Sequence, residues 1–165
     1  MEQLSVIISD NQLLTNIGIT SILLKYYKDG IIFYEARTKD EISEKLESED
    51  IHVLIVDYEL IDFDNITDFE IIIHKFPAVG ILVISGNQNP EFILNVLESG
   101  VKNYLIKTCT ENELIEAFKS TLEGRKYFSN KVLDVLLNKN TSARNRKETG
   151  KLTLAEIEIV RLITQ

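Results

Sequence analysis

Along most of the chain, two textures of hydrophobic and polar positions take turns. Five short apolar runs, Leu4–Ser9, Ile31–Ala36, Ile51–Val56, Val79–Ser85 and Lys102–Lys107, alternate with longer stretches in which apolar residues return every three or four positions. The cores of three runs, "VII", "VLIV" and "ILVIS", are unbroken, which predicts strands of a parallel sheet buried on both faces. The other two carry polar breaks, as edge strands do. Between the runs, Leu14, Ile17 and Leu24 recur on one face of a first helix. Phe92, Val96 and Ser99, with Ile93 and Leu97 beside them, mark a fourth, and Leu114, Ala117, Phe118 and Leu122 a fifth. The second and third helical segments, near Asp40–Glu49 and Asn65–Phe76, show a weaker pattern.

Helix boundaries are written into the sequence. Asn89-Pro90-Glu91 places a capping amide before a proline at the first helical position. Thr110-Glu111-Asn112-Glu113 has the spacing of a capping box, and Gly100 and Gly124 stand where the fourth and fifth helices should stop. Strand and helix therefore alternate five times, which predicts an α/β domain: a doubly wound, five-stranded parallel sheet with right-handed crossovers. It occupies residues 1–123 and is followed by a helical linker. The linker, 124–150, holds one short amphipathic helix near 129–137 and then the polar, basic stretch "NKNTSARNRKETG". Residues 151–165 open a new pattern, with Thr153 and Glu156 at capping-box spacing and Ile157, Val160 and Ile163 at helical spacing.

Composition adds little to the fold and more to the partners. The 165 residues suit one domain, or one domain and a fragment of a second. No apolar run approaches the roughly 20 residues that span a membrane, no basic-then-apolar leader opens the chain, and Cys109 is its single cysteine. We therefore expect a cytoplasmic protein without a membrane partner. Residues 1–123 hold 9 basic and 22 acidic side chains, a net of −13, whereas 124–165 hold 9 and 4, a net of +5. The acidic part is a poor partner for nucleic acid, while the basic part either meets phosphates or is simply solvated.

The chemistry gathers where the strands end. In open α/β sheets ligands bind outside the carboxyl ends of the strands. Four of the five runs end in polar groups there: Asp10-Asn11, Asp57, Ser85 and Lys107. Taken singly, an Asp or Ser after a strand is usually a turn or cap residue, and a Lys is usually solvated. Taken together on one rim, they suit a divalent cation and a phosphoryl group. His52 and His74 have no partner at metal-ligand spacing, and Cys109 reads as a loop or cap residue. No Gly-rich phosphate loop follows the first strand. Gln12, two residues after Asp10, argues against phosphatases that need a second Asp there.

With Asp10, Asp57 in "HVLIVD", Ser85 in "ILVISG", and Tyr104 and Lys107 in "KNYLIKT", residues 4–122 resemble a bacterial response-regulator receiver domain. "LTLAEIEIVRLI" resembles the first helix of a LuxR-type helix-turn-helix, and "GITSIL" and "GRKYFS" point the same way, to the NarL/FixJ family. The resemblance implies a flavodoxin-like, CheY-like strand order of 2-1-3-4-5. It implies that Asp57 accepts a phosphoryl group from a sensor histidine kinase. Asp10, Asn11, Asp57 and the backbone carbonyl of Glu59 would surround Mg²⁺. Lys107 would neutralise a phosphoryl oxygen, and Ser85, coupled to Tyr104, would act as the switch. Glu59 and Asn87 occupy positions that tune dephosphorylation in this family. The resemblance further implies a transcription regulator and not an enzyme, a homodimer, and DNA contact only through a C-terminal domain of which residues 151–165 are the first helix.

Three positions depart from the family's pattern. Asn11 stands where a second acid is usual, which predicts weakened Mg²⁺ binding, because an amide oxygen still coordinates but one charge is gone. Ile61 and Asn65 stand where Pro and Gly are frequent. These departures motivate an alternative, a phosphorylation-independent pseudo-receiver serving interaction or dimerisation. A small Mg-dependent phosphotransfer enzyme on the same fold would need a substrate pocket, and no additional long loop is present to build one.

Overall fold

An unbroken apolar strand has to be covered on both faces, and in the computed structural model, which describes residues 3–63, 66–144 and 154–164, helices cover it. The strands are β1 (Leu4–Ser9), β2 (Ile31–Glu35), β3 (Val53–Val56), β4 (Gly80–Ser85), β5 (Asn103–Ile106) and β6 (Tyr127–Phe128). All pair in parallel, in the order β2-β1-β3-β4-β5-β6. The sheet thus has six strands where the sequence predicts five. Two residues carry no periodic signal, and β6 exists because Tyr127 and Phe128 find their register opposite Asn103 and Tyr104.

Side chains alternate across the strands and divide the core in two. Ile7, Leu54, Val56, Val83, Tyr104 and Ile106 face one way. They meet Ile42 and Leu46 of α2 (Lys39–Ser48), Phe69 and Ile72 of α3 (Thr67–Lys75), and Ile93, Val96 and Leu97 of α4 (Pro90–Glu98). Val132 and Leu136 of α6 (Asn130–Arg144) and Ile159 of α7 (Leu154–Thr164) complete that side. Val6, Ile8, Val53, Ile55, Leu82, Ile84 and Leu105 face the other way. They meet Ile19 and Leu23 of α1 (Leu13–Tyr27) and Leu114, Ala117 and Phe118 of α5 (Glu111–Leu122). Each fully buried aliphatic or aromatic side chain contributes about 1.5–3 kcal/mol.

The caps form as the sequence predicts. Asn89 accepts from the Glu91 amide at 2.9 Å, and Thr110 and Glu113 close a reciprocal capping box. Gly100 and Gly124 end their helices at φ +98° and +66°, where a Cβ would be strained. Gly80 is demanded by packing instead: a Cβ there would lie 2.6 Å from Thr121 Cγ2 and 2.8 Å from the Thr121 carbonyl oxygen, so α5 lies directly on the start of β4.

Two helices turn a different face inward than periodicity predicts. In α1, Leu14 is 82% exposed, with Ile17 and Leu24 also exposed, while Ile19 and Leu23 are buried. That helix is apolar nearly all round, so spacing alone selects no face. In α7, Ile157, Val160 and Ile163 are exposed; Ile159 is buried, and α7 packs on α4 and α6. The helix predicted near 129–137 runs from Asn130 to Arg144. Asn65, Thr153 and residues 145–150 of the linker lie outside the described residues. Among the described residues, no helix is long and apolar enough to cross a membrane.

Candidate functional site

β1 and β3 are neighbours, and Ser9 lies opposite Val56, so the next residue on each strand brings Asp10 and Asp57 side by side. The Asp57 amide donates to the Ser9 carbonyl at 3.0 Å, and the Lys107 amide to the Ser85 carbonyl at 2.9 Å. Backbone pairing therefore continues past the strands and fixes where these side chains leave the sheet. Both carboxylates are buried.

Lys107 is their shared counter-charge. Its Nζ lies 2.8 Å from Asp10 Oδ2 and 2.7 Å from Asp57 Oδ2, and it donates to Gln12 Oε1 at 2.8 Å. Backbone amides hold the other carboxylate oxygens: Gln12 donates to Asp10 Oδ1 at 2.7 Å and Glu59 to Asp57 Oδ1 at 3.2 Å. Asp10 Oδ2 pairs with Lys107 by proximity and receives no hydrogen bond of good geometry. Two buried carboxylates, one of them with an oxygen lacking a hydrogen bond, make an anionic cleft whose oxygen donors suit a hard cation such as Mg²⁺. Among the described residues no three His, Cys, Asp or Glu side chains converge as a metal cluster. The third place at this rim is the amide of Asn11, whose Nδ2 donates to the Leu60 carbonyl and ties the β1–α1 turn to the loop after β3.

The remaining predicted residues form a second group beside the first. Ser85 is fully buried and donates through Oγ to Glu59 Oε2 at 3.0 Å. Asn87 donates from Nδ2 to Glu59 Oε1 at 2.6 Å. The Tyr104 hydroxyl donates to the Asn87 carbonyl at 3.1 Å, and burial pushes the Tyr104 phenol up to about 12. Burial also pushes up Tyr58, whose ring meets Phe69 edge-on and stacks with Phe92. Ile61, at the position where proline is frequent, is buried in the larger core and anchors this loop by its side chain.

The residues expected at the strand ends, Asp10, Asn11, Asp57, Ser85 and Lys107, lie together on this rim, and Asn87 and Tyr104, expected from the resemblance, join them through the Tyr104 hydroxyl and the Asn87 carbonyl. Sequence reasoning missed Gln12 as a partner of Lys107; for Glu59 it expected a backbone carbonyl toward Mg²⁺ and a position that tunes dephosphorylation, and here the carboxylate joins Ser85 to Asn87. His52 is structural, accepting the Ser5 amide on Nδ1 at 3.2 Å. Burial raises the Cys109 thiol above its ordinary range, which makes it a poor nucleophile.

A parallel α/β sheet with a buried acid pair and a lysine at its carboxyl rim defines a class, and comparison agrees. The chain belongs to the response regulator receiver domain family, which matches residues 6–119. It is 24% identical over 169 residues to the oxygen regulatory protein NreC of Staphylococcus carnosus, a match covering 98% of this chain and 77% of NreC. A solved RcsB response regulator of Salmonella typhimurium shares its fold, with a TM-score of 0.75 and 26% identity over 98% of this chain and 77% of that one. A LuxR-family two-component response regulator from Aurantimonas shares the fold as well, with a TM-score of 0.71 and 20% identity, covering 85% of this chain and 99% of that one. Residues 6–119 thus form the receiver of a response regulator.

Proposed function

We propose that Asp57 is the phosphoryl acceptor of a two-component pathway, taking the group from a phosphohistidine of a sensor histidine kinase. The observation that carries this reading is the single lysine bridging two buried strand-end carboxylates, at 2.8 and 2.7 Å. An oxygen of Asp57 attacks phosphorus, the P–N bond breaks, and an acyl phosphate forms on Asp57. Such transfer asks the protein mainly for position and charge neutralisation. Lys107 is already seated to neutralise an oxygen of the transferred group. The Glu59 amide holds Asp57 Oδ1 and so orients the carboxylate. Asp10, Asn11, Asp57 and the Glu59 carbonyl would hold Mg²⁺, which when bound neutralises charge on the incoming phosphoryl oxygens. Asn11 supplies an amide in place of a charge and weakens that binding.

The output is transcriptional, through a C-terminal helix-turn-helix. Residues 1–123 are the receiver, 124–150 the connection, and 151–165 the first helix of the DNA-binding domain. The active form is a homodimer. The test is intact mass after incubation with acetyl phosphate and MgCl₂, on wild type and Asp57→Ala. A phosphoryl adduct on wild type alone is expected. No adduct, together with no Mg²⁺ binding, overturns the reading.

That result would favour a pseudo-receiver working by protein contact alone. One observation motivates this second reading: the Asn11 side-chain amide donates to the Leu60 carbonyl, a bond that joins the β1–α1 turn to the loop after β3 with no phosphoryl group needed.

A further inference from the structure

The Ser85 hydroxyl carries one proton, and that proton is given to Glu59. While it is, Ser85 cannot donate to a phosphoryl group on Asp57. The carboxylate that takes it also takes the Asn87 amide, and Asn87 is a junction. Its backbone amide donates to Ser85 Oγ at 3.1 Å, its Oδ1 accepts from the Asn89 amide at 2.8 Å, and its carbonyl accepts from Tyr104 at 3.1 Å. Asn89 is the cap of α4. An unbroken set of hydrogen bonds therefore runs from the residue two beyond Asp57 to the start of α4. Hydrogen bonds to a carboxylate are about twice as strong as neutral ones, so Glu59 is its firmest point.

We propose that Glu59 is a latch: its carboxylate holds the Ser85 hydroxyl and, through Asn87, the first turn of α4 in the resting arrangement, and a phosphoryl group on Asp57 must dislodge it. The inference rests on the phosphoacceptor reading for its trigger, but the latch itself exists in the unmodified chain. The mechanism is competition and repulsion. A phosphoryl group of charge near −2, two residues from Glu59, repels the carboxylate and offers Ser85 a better acceptor. When Glu59 leaves, Asn87 loses its anchor, and the cap of α4 is free to move together with the Tyr104 hydroxyl. Gln at position 59 cannot substitute. Its one oxygen can serve Ser85, but its amide would then face the Asn87 amide donor to donor, and turning Asn87 over would oppose it to the Asn89 amide.

The test uses the full chain, with Glu59→Ala, Glu59→Gln and Asn87→Ala. In the unphosphorylated state, hydrogen exchange of the amides of Asn87, Asn89 and Glu91 is expected to accelerate about tenfold in all three, with urea midpoints showing that each is folded. In the second arm, beryllofluoride with MgCl₂ mimics the phosphoryl group. Both Glu59 variants are expected to bind it about tenfold more tightly than wild type, because nothing has to be dislodged. A merely structural loss would weaken that binding. Unchanged exchange overturns the latch whatever beryllofluoride does, and so does accelerated exchange with unchanged or weaker beryllofluoride affinity. Accelerated exchange, with beryllofluoride failing on wild type and variants alike, leaves the latch standing and overturns the phosphoacceptor reading.

Discussion

Replacing Lys107 by Ala removes the one cation, among the described residues, that lies against both Asp10 and Asp57. The two contacts measure 2.8 and 2.7 Å, and the carboxylates are nearly fully buried, at 1% and 3% side-chain exposure. At an effective dielectric of 20, each unit pair at that distance is worth about 6 kcal/mol before desolvation. Desolvation of the lysine and the carboxylates cancels much of this. What remains on breaking a buried pair is typically about 3–5 kcal/mol, because a carboxylate is left without its counter-charge. Here two are left, so we expect a loss of at least about 3 kcal/mol, a large share of the roughly 5–15 kcal/mol a domain possesses. Urea denaturation of wild type and Lys107→Ala measures it directly. Saturating MgCl₂ should restore part of the loss, since a divalent ion between the same oxygens replaces the missing charge. The double variant Lys107→Ala/Asp57→Asn should also recover, having one carboxylate fewer to neutralise. A loss below about 1 kcal/mol, or a double variant less stable than Lys107→Ala, would refute the view that Lys107 is the counter-charge of a strained acid pair.

Three further outcomes follow from the geometry. Asn11→Asp should bind Mg²⁺ at least about tenfold more tightly by calorimetry, since a unit charge at 4 Å is worth about 4 kcal/mol at a dielectric of 20 and twice that toward a divalent ion, less the added carboxylate repulsion; equal or weaker binding would refute it. Gly80→Ala should cost about 1–3 kcal/mol, because the new methyl meets the Thr121 backbone and α5 must shift, and the smaller Thr121→Ser should not rescue it, the carbonyl being in the way as well. Tyr104 is held neutral by burial, its pKa raised to about 12 from 10, so its contribution is complete below pH 10 and is lost as pH climbs through 12. By the linkage of about 1.4 kcal/mol per unit, Tyr104→Phe should lose about 2 kcal/mol less than wild type between pH 9 and 12 in urea titrations.

The strands were legible because burial on both faces leaves an unbroken apolar signature, and β1, β3 and β4 show it. The rim was legible for a related reason: a charged residue directly after such a run has only one direction in which to leave the sheet. Asp10 and Asp57 are legible on that ground, and Lys107, after a run broken by polar residues, on the weaker ground that it too closes a strand. The inward faces of α1 and α7 were not legible, because the choice between Leu14 and Ile19, or between Val160 and Ile159, depends on what lies beneath each helix. β6 was invisible because its two residues are a strand only by virtue of β5. Glu59 was half legible; the spacing marked its position, but the partner of its carboxylate is set by the turn between β4 and α4, which no local pattern encodes.

The sixth strand bears on where the chain can be cut. Tyr127 and Phe128 occupy the hydrogen-bonding side of β5, and Val132 and Leu136 behind them are buried in the larger core. A piece ending at residue 123 would leave the groups of β5 that pair with β6 open and bare the apolar surface beneath α6. Open strand edges beside exposed apolar surface invite pairing between molecules. Such a piece would be prone to aggregate, and its self-association would say nothing about how the whole chain assembles. Carrying the cut to Arg144, the end of α6, keeps that edge protected.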